Sequence, residues 1–331
     1  MYAQMMVREE SQIAGGSSTD DGDWFDPTLA ARACRMSLIE EQNKSEIAEA
    51  LGISRFRVAR LISEARTRGM VRIDIIAPEN STLGLEAELT ERYGLRAARV
   101  ASTGPTPGQT LQDVGRLAAE LALERLRPGD LLGLGWGRTV GAVVPHLKAD
   151  GPINVVQLAG GFPGVDRDFN GTQVVIDTAV QTHGTAHLLH APALLQTAEA
   201  RAALLDDPTV RATSRLYDDL SVTITGLGAL RPTATSALYR GSVLSDELKR
   251  ELKRSGAIGD ACCHFIDASG SLIESLEDRI VGVTSAQILS ADLRISAAFG
   301  ADKVAAIRAA LRSGLLNAIV LDSTTATLLL R

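Results

Sequence analysis

Two sets of residues have the types and spacing to do chemistry. Between Asn43 and Leu61 the cations Lys44, Arg55, Arg57 and Arg60 recur with Ser45, Ser54 and Phe56 among them, a composition suited to a phosphate backbone and its base edges. Far downstream, Gly133-Leu134-Gly135-Trp136-Gly137-Arg138-Thr139 packs three glycines, a cation and a hydroxyl into seven residues. Such a loop lets backbone amides close around an anion, and a sugar phosphate would suit it. Gly160-Gly161 makes a second glycine turn after an apolar run, and Asn170 opens the helix expected beyond it. Lys303 follows Phe299-Gly300 at the expected start of a helix, where a cation opposes the macrodipole unless an anion lies nearby, which makes it a second phosphate ligand. A tight strand-to-helix turn and a solvated lysine are the alternatives for these two features.

Other constellations offer less. The glycine spacing is no nucleotide fingerprint, because no acidic ribose partner is placed about twenty residues on and no Gly-Lys-Ser/Thr follows. No cofactor is expected. His183, His187 and His190 are separated by Gly184, so one helix face cannot present all three, and no metal site is expected. Cys34, Cys262 and Cys263 form neither a zinc knuckle nor a disulfide framework. Asp267-Ala268-Ser269-Gly270 reads as a hairpin turn whose carboxylate can also accept from a sugar hydroxyl. No nucleophile–base arrangement stands out; an enzyme would need Asp260 or Asp267 as its acid or base.

The elements that must position the first set follow from punctuation. Apolar residues at helical spacing from 28 to 68 predict three short helices. Asn43 with Glu46 predicts a capping box, Gly52 a left-handed helix end, and Ser54 the cap of the next helix: a helix-turn-helix whose second helix leads with Arg55-Phe56-Arg57 into the major groove. Alternation over 71–75 adds a strand and so a winged variant, and solvated arginines on a plain bundle are the alternative. Residues 1–27, rich in Gly, Ser and Asp, read as a flexible tail. The expected division is therefore a tail (1–27), a winged helix-turn-helix (28–77), a linker (78–84) and one large α/β domain (85–331). In the last, strands are predicted at 97–101, 131–134, 154–158, 185–189, 222–225, 258–265, 280–283, 294–298 and 318–322. Helices are predicted at 112–126, 139–147, 172–182, 199–205, 285–290, 303–313 and 323–330.

Composition first argues against DNA, then for it. The 331 residues are 45% hydrophobic and 22% charged, enough for a sizeable core, with a net charge of −6. Divided along the chain, residues 28–76 hold nine Lys/Arg and six Asp/Glu, a local +3, and the remainder carries −9. The acidic average conceals a basic small domain. No stretch approaches the ~18 apolar residues of a membrane span and no basic-then-apolar leader is present, so a reducing cytoplasm is expected, with no membrane partner.

The chain resembles the SorC family of bacterial sugar-binding transcriptional regulators. The resemblance runs from about 28 to 331 and rests on Glu46-Ile47-Ala48, Leu51-Gly52-Ile53-Ser54-Arg55, the Gly133–Thr139 loop, Gln157-Leu158 with Gly160-Gly161, Gly259-Asp260, Phe265-Ile266-Asp267, Asp278-Arg279-Ile280-Val281-Gly282 and Gly300-Ala301-Asp302-Lys303. It implies an effector domain similar to sugar-phosphate isomerases, an assembly of dimers or tetramers, and double-stranded operator DNA and a sugar, polyol or sugar phosphate as partners. It further implies that Gly135, Gly137, Arg138, Thr139 and Lys303 surround an effector phosphate, with Asp267 and Asn170 near hydroxyls. Lys44 and Ala59 stand where the family commonly has glutamine and serine, a departure that bears on which operator is read.

Overall fold

The computed structural model of the chain describes residues 25–71, 81–162, 170–240 and 244–331 and divides into two compact units, Met1–Ala77 and Pro78–Arg331. In the first unit, Asp26 accepts from the amides of Thr28 and Leu29 and Pro27 supplies a preset φ, so helix α1 (Pro27–Leu38) starts there. Helices α2 (Lys44–Leu51) and α3 (Arg55–Thr67) follow. Ala30, Ala33, Ile47, Val58, Leu61 and Ala65 are wholly buried where the three meet. Phe25 joins this core at 4% exposure, with the Arg68 guanidinium 4.2 Å from its ring centre. The ordered unit thus begins before residue 28: a ring inside the core and a carboxylate cap are fixed structure, so the expected tail is too long at its C-terminal end. Residues 72–80, and with them the wing strand beyond Val71, lie outside the described residues, as do 1–24.

The second unit opens with α4 (Thr82–Tyr93), capped by the Ser81 hydroxyl on the Gly84 amide. This corrects the expected linker 78–84, whose last three residues are helical because Leu85 and Leu89 are buried one turn apart. Then come β1 (Ala97–Ala101), α5 (Pro107–Arg125), β2 (Leu131–Leu134), α6 (Arg138–Val143), β3 (Asn154–Gln157), α7 (Gly171–Gln181), β4 (Ala186–His187) and β5 (Val222–Gly226). Three short antiparallel strands follow, β6 (Gly228–Ala229), β7 (Ala257–Ala261) and β8 (His264–Asp267), and then β9 (Leu293–Ala297) and β10 (Ala318–Asp322).

Seven strands make one parallel sheet in the order β1-β10-β9-β5-β2-β3-β4. Helices α5, α6 and α7 bury one face through Val114, Ala118, Val140, Val143 and Val175. On the other face lie α4, the helices Val304–Ser313 and Ser323–Leu330, and the small sheet β6–β8. The central strands around Ile224, Ile295 and Val320 are therefore buried on both sides; β10 reads as an unbroken apolar run, whereas β5 and β9 bury Thr223 and Ser296 among their apolar residues. From β2 the chain proceeds outward to β3 and β4; from β5 it proceeds the opposite way to β9 and β10. The loops leaving β2 and β5 diverge there, which opens a crevice beyond their carboxyl ends.

The strand expected at 185–189 shrinks to Ala186–His187, the helix expected at 112–126 begins already at Pro107, and three further elements differ in kind. The strand 258–265 is two strands joined by Cys262-Cys263, both at positive φ (52° and 71°), as a two-residue hairpin turn requires. Residues 280–283 form isolated bridges to Ala159 and Leu194 rather than a strand. The helix expected at 139–147 is α6 followed by a tighter turn, Val144–His146, with Pro145 as the reason it cannot continue.

Candidate functional site

In the first unit the local sequence dictates where the cations stand. The Asn43 side chain accepts from the amides of Ser45 (2.9 Å) and Glu46 (3.2 Å), while Glu46 accepts from the Asn43 amide at 2.8 Å. Gly52 ends α2 at φ 64°, which a side chain would resist, and turns the chain so that Ser54 caps α3 by accepting from the Arg57 amide at 3.2 Å. Val58, Leu61, Ile62 and Ala65 take the buried face of α3. Arg55, Phe56, Arg57 and Arg60 are left exposed, with no acidic residue in the first turn. Lys44 and Ser45 are exposed at the start of α2. The result is a short, cationic helix end whose first amides lack intrahelical acceptors, an arrangement suited to phosphates and base edges.

In the second unit the crevice holds two adjoining clefts. The first, of about 220 Å³, is lined by Gly135, Trp136, Gly137, Arg138 and Thr139 after β2, by Thr225–Gly228 at the end of β5 and just beyond it, and by Ser236, Asp260, Cys262 and Lys303. The second, of about 390 Å³, shares Gly135 and Trp136 and adds Gln157, Gly160, Gly161, Phe162, Asn170 and Thr172. The Trp136 and Phe162 rings meet edge to face with centres 5.0 Å apart. Gly137, at φ 107°, lets the loop fold back into α6. That helix has only six residues, so its dipole is small and gives an anion little hold by itself.

The cationic side chains that line the first cleft are Lys303 and Arg138. Lys303 ends a tight turn, Ala301–Lys303, and caps the helix Val304–Ser313 instead of lying inside it. Burial pushes its ammonium below the usual lysine range and Arg138 adds to this, while Asp302 and Asp260 oppose it. Asp260 faces it from β7 at 6% exposure. Burial raises the Asp260 carboxyl from the ordinary range to about 6, against the pull of Ser236, Lys303 and His264. Its Oδ1 has no hydrogen-bond partner among the described residues, an arrangement that costs about 1–3 kcal/mol unless a ligand donor completes it. Behind the cleft, the buried His264 ring bridges Glu277 Oε1 (2.7 Å) and the Val283 carbonyl (3.1 Å), which ties β8 to the segment that also bridges the second cleft at Ala159.

The clefts gather Gly135, Trp136, Gly137, Arg138, Thr139, Gly160, Gly161, Asn170 and Lys303 from the expected effector residues. Two stand elsewhere. Gly133 lies within β2, where a Cβ would come within 2.6 Å of Leu158, so its smallness serves packing. Asp267 ends β8 outside both clefts; its Oδ1 accepts from the amide and hydroxyl of Ser269 and from the Ser271 amide, which holds the carboxyl below its ordinary range. That oxygen is committed to its own turn, and the residue stands away from the lining of either cleft. Asp260 lines the first cleft instead, and the sequence carried a signal: one acid beside Ile258, Ala261 and Cys262 is a buried charge in need of a partner. Ser236 had no such signal. No group of three His, Cys, Asp or Glu suited to a metal occurs among the described residues.

Comparison with known proteins decides the family. Residues 78–331 match the family model described as "Putative sugar-binding domain". The chain is 29% identical to the sorbitol operon regulator of Klebsiella pneumoniae over 92% of its own length and 98% of that protein's. It belongs to the SorC family of sugar-binding transcriptional regulators. Within that family it is 30% identical to the erythritol catabolism regulatory protein EryD of Brucella abortus, over 92% of this chain and 97% of that one. The crystal structure of full-length SorC from Klebsiella pneumoniae superposes with a TM-score of 0.71 at 27% identity, covering 92% of this chain and 99% of that one. A SorC-family member of this architecture is a sugar-responsive, DNA-binding regulator built from a helix-turn-helix and an α/β sugar-binding domain. No helix among the described residues is long and apolar enough to cross a membrane.

Proposed function

We propose that the effector is a phosphorylated sugar or polyol held across the two clefts of the second unit, and that it changes the affinity of α3 for operator DNA. The observation that carries this reading is the placement of Lys303 and Arg138 with the unpartnered carboxylate oxygen of Asp260. A ligand with an anion at one end and hydroxyl donors along its length satisfies both at once. Gln157, Asn170 and Thr172 give the second cleft acceptors and donors for further hydroxyls. Relatives named for sorbitol and erythritol support the polyol class.

Lys44, Ser45, Arg55, Phe56, Arg57 and Arg60 are the operator-facing residues in this reading, with Ser54 fixing the helix end. Control requires that the effector bind two arrangements of a dimer or tetramer unequally; equal affinity for both shifts nothing. The setting is cytoplasmic and the second unit is a sensor without turnover. The test is a thermal-shift panel of sugars, polyols and their phosphates, followed by a mobility shift on the upstream DNA of its gene with and without the best ligand. Phosphorylated members should raise the midpoint more than their parent sugars, and that ligand should change the shifted fraction. No ligand response, or no shift at low salt, would overturn the reading.

One observation favours a second reading. A carboxyl at about 6 beside a desolvated lysine is also equipped for proton transfer. Turnover of ribose 5-phosphate or glucosamine 6-phosphate would establish it; binding without turnover would leave the sensor.

A further inference from the structure

Phe56 is 82% exposed, more than any other large apolar side chain among the described residues. It is the second residue of α3, between the exposed Arg55 and Arg57, and shares its helix face with Arg60 one turn on. Nothing in the fold asks for it. The core-facing positions of α3 are Val58, Leu61, Ile62 and Ala65, and phenylalanine is an indifferent helix former. The position therefore leaves an aromatic ring in water, at the entry point of a recognition helix, inside a ring of cations.

A partner that offsets this must be anionic around its rim and apolar at one point. In the DNA major groove the base edges present donors, acceptors and a single apolar group, the 5-methyl of thymine. We infer that Phe56 reads sequence: its ring packs on a thymine methyl in each operator half-site and so specifies an A·T pair there, while Arg55, Arg57 and Arg60 hold phosphates or guanine edges. The inference rests on the helix-turn-helix reading of the first unit and adds the base it selects.

The test replaces single thymines by deoxyuridine, which keeps every hydrogen-bonding group and removes only the methyl. The full-length protein first selects its preferred duplex from a random pool, and each thymine of that duplex is then exchanged in turn. At one position per half-site the exchange should weaken the wild-type protein about fourfold, the worth of one buried methyl. Phe56→Ala should bind the parent duplex about tenfold more weakly and be indifferent to deoxyuridine at that position, while Arg57→Ala should lose affinity yet keep the methyl dependence. Because the ring is exposed, Phe56→Ala should melt with the wild type. Equal methyl dependence in wild type and Phe56→Ala, or unchanged affinity of Phe56→Ala, overturns the inference with the regulator reading intact. So does a change in oligomeric mass without methyl dependence, which would assign the ring to a protein contact. A wild-type protein that retains no duplex from the pool sinks both.

Discussion

Arg55, Arg57 and Arg60 stand exposed on an open helix, whereas Lys303 is half-buried in a cleft that also holds Asp260 and Asp302. Exposed cations act through long-range attraction that salt screens over about 10 Å at 0.1 M, and they gain affinity by releasing counterions from a polyanion. A desolvated lysine acts over a few ångströms, resists screening, and is held in balance by nearby acids. The first arrangement suits a long, repetitive target found quickly; the second suits one small ligand selected by shape. The chain thus separates its two ligands by dielectric setting as well as by domain.

The contrast can be broken most forcefully at Lys303. Lys303→Met should weaken a phosphorylated effector about a hundredfold by calorimetry and leave ligand-free operator binding as it was, since it removes the desolvated charge and leaves two acids uncompensated. An unchanged dissociation constant would take Lys303 out of the site. At the open helix the effect is smaller: Arg57→Ala should weaken operator binding about tenfold at 0.1 M salt and lower the slope of log affinity against log salt by about one. The Lys303 variant should keep the wild-type slope; a shared change in slope would erase the distinction between the two settings.

Asp260 sharpens it through pH. Its folded-state value lies above the ordinary carboxylate range, so protonation favours the folded form, and that contribution is lost as pH rises through about 6. Asp260→Asn should therefore be more stable than the wild type at pH 8, by about 1–2 kcal/mol, with the gap closing towards pH 4. Thermal melts across that range check it, and a gap independent of pH would remove burial as the cause. The smallest effect is expected at Asn43→Ala, which deletes one cap of α2 and should cost the first unit about 1 kcal/mol. Faster hydrogen exchange at Ser45 and Glu46 with unaltered effector affinity is the expected signature.

Most of the helix-turn-helix was legible because each device is local: Asn43 with Glu46, Gly52 and Ser54 act on residues three or four positions away. The parallel strands were legible for a related reason, since burial on both faces writes continuous apolar runs such as Ile319-Val320-Leu321. What escaped depends on contacts between distant segments. Gly133 looked like a ligand loop residue and is a packing device because Leu158 and Leu220 press on it. Asp267 and Asp260 are both acids on or beside one hairpin, and only the pairing register places one in the cleft and the other in its own turn. The strand expected at 258–265 hid a turn because Cys262-Cys263 lacks the glycine or asparagine that usually announces positive φ.

Trp136 lines both clefts and meets Phe162 edge to face, and it is one of two tryptophans in the chain. The protein therefore carries its own optical gauge at the junction of the two chambers. With Trp24→Phe removing the other emitter, the indole's fluorescence colour and quenching would follow occupancy in real time, without a label.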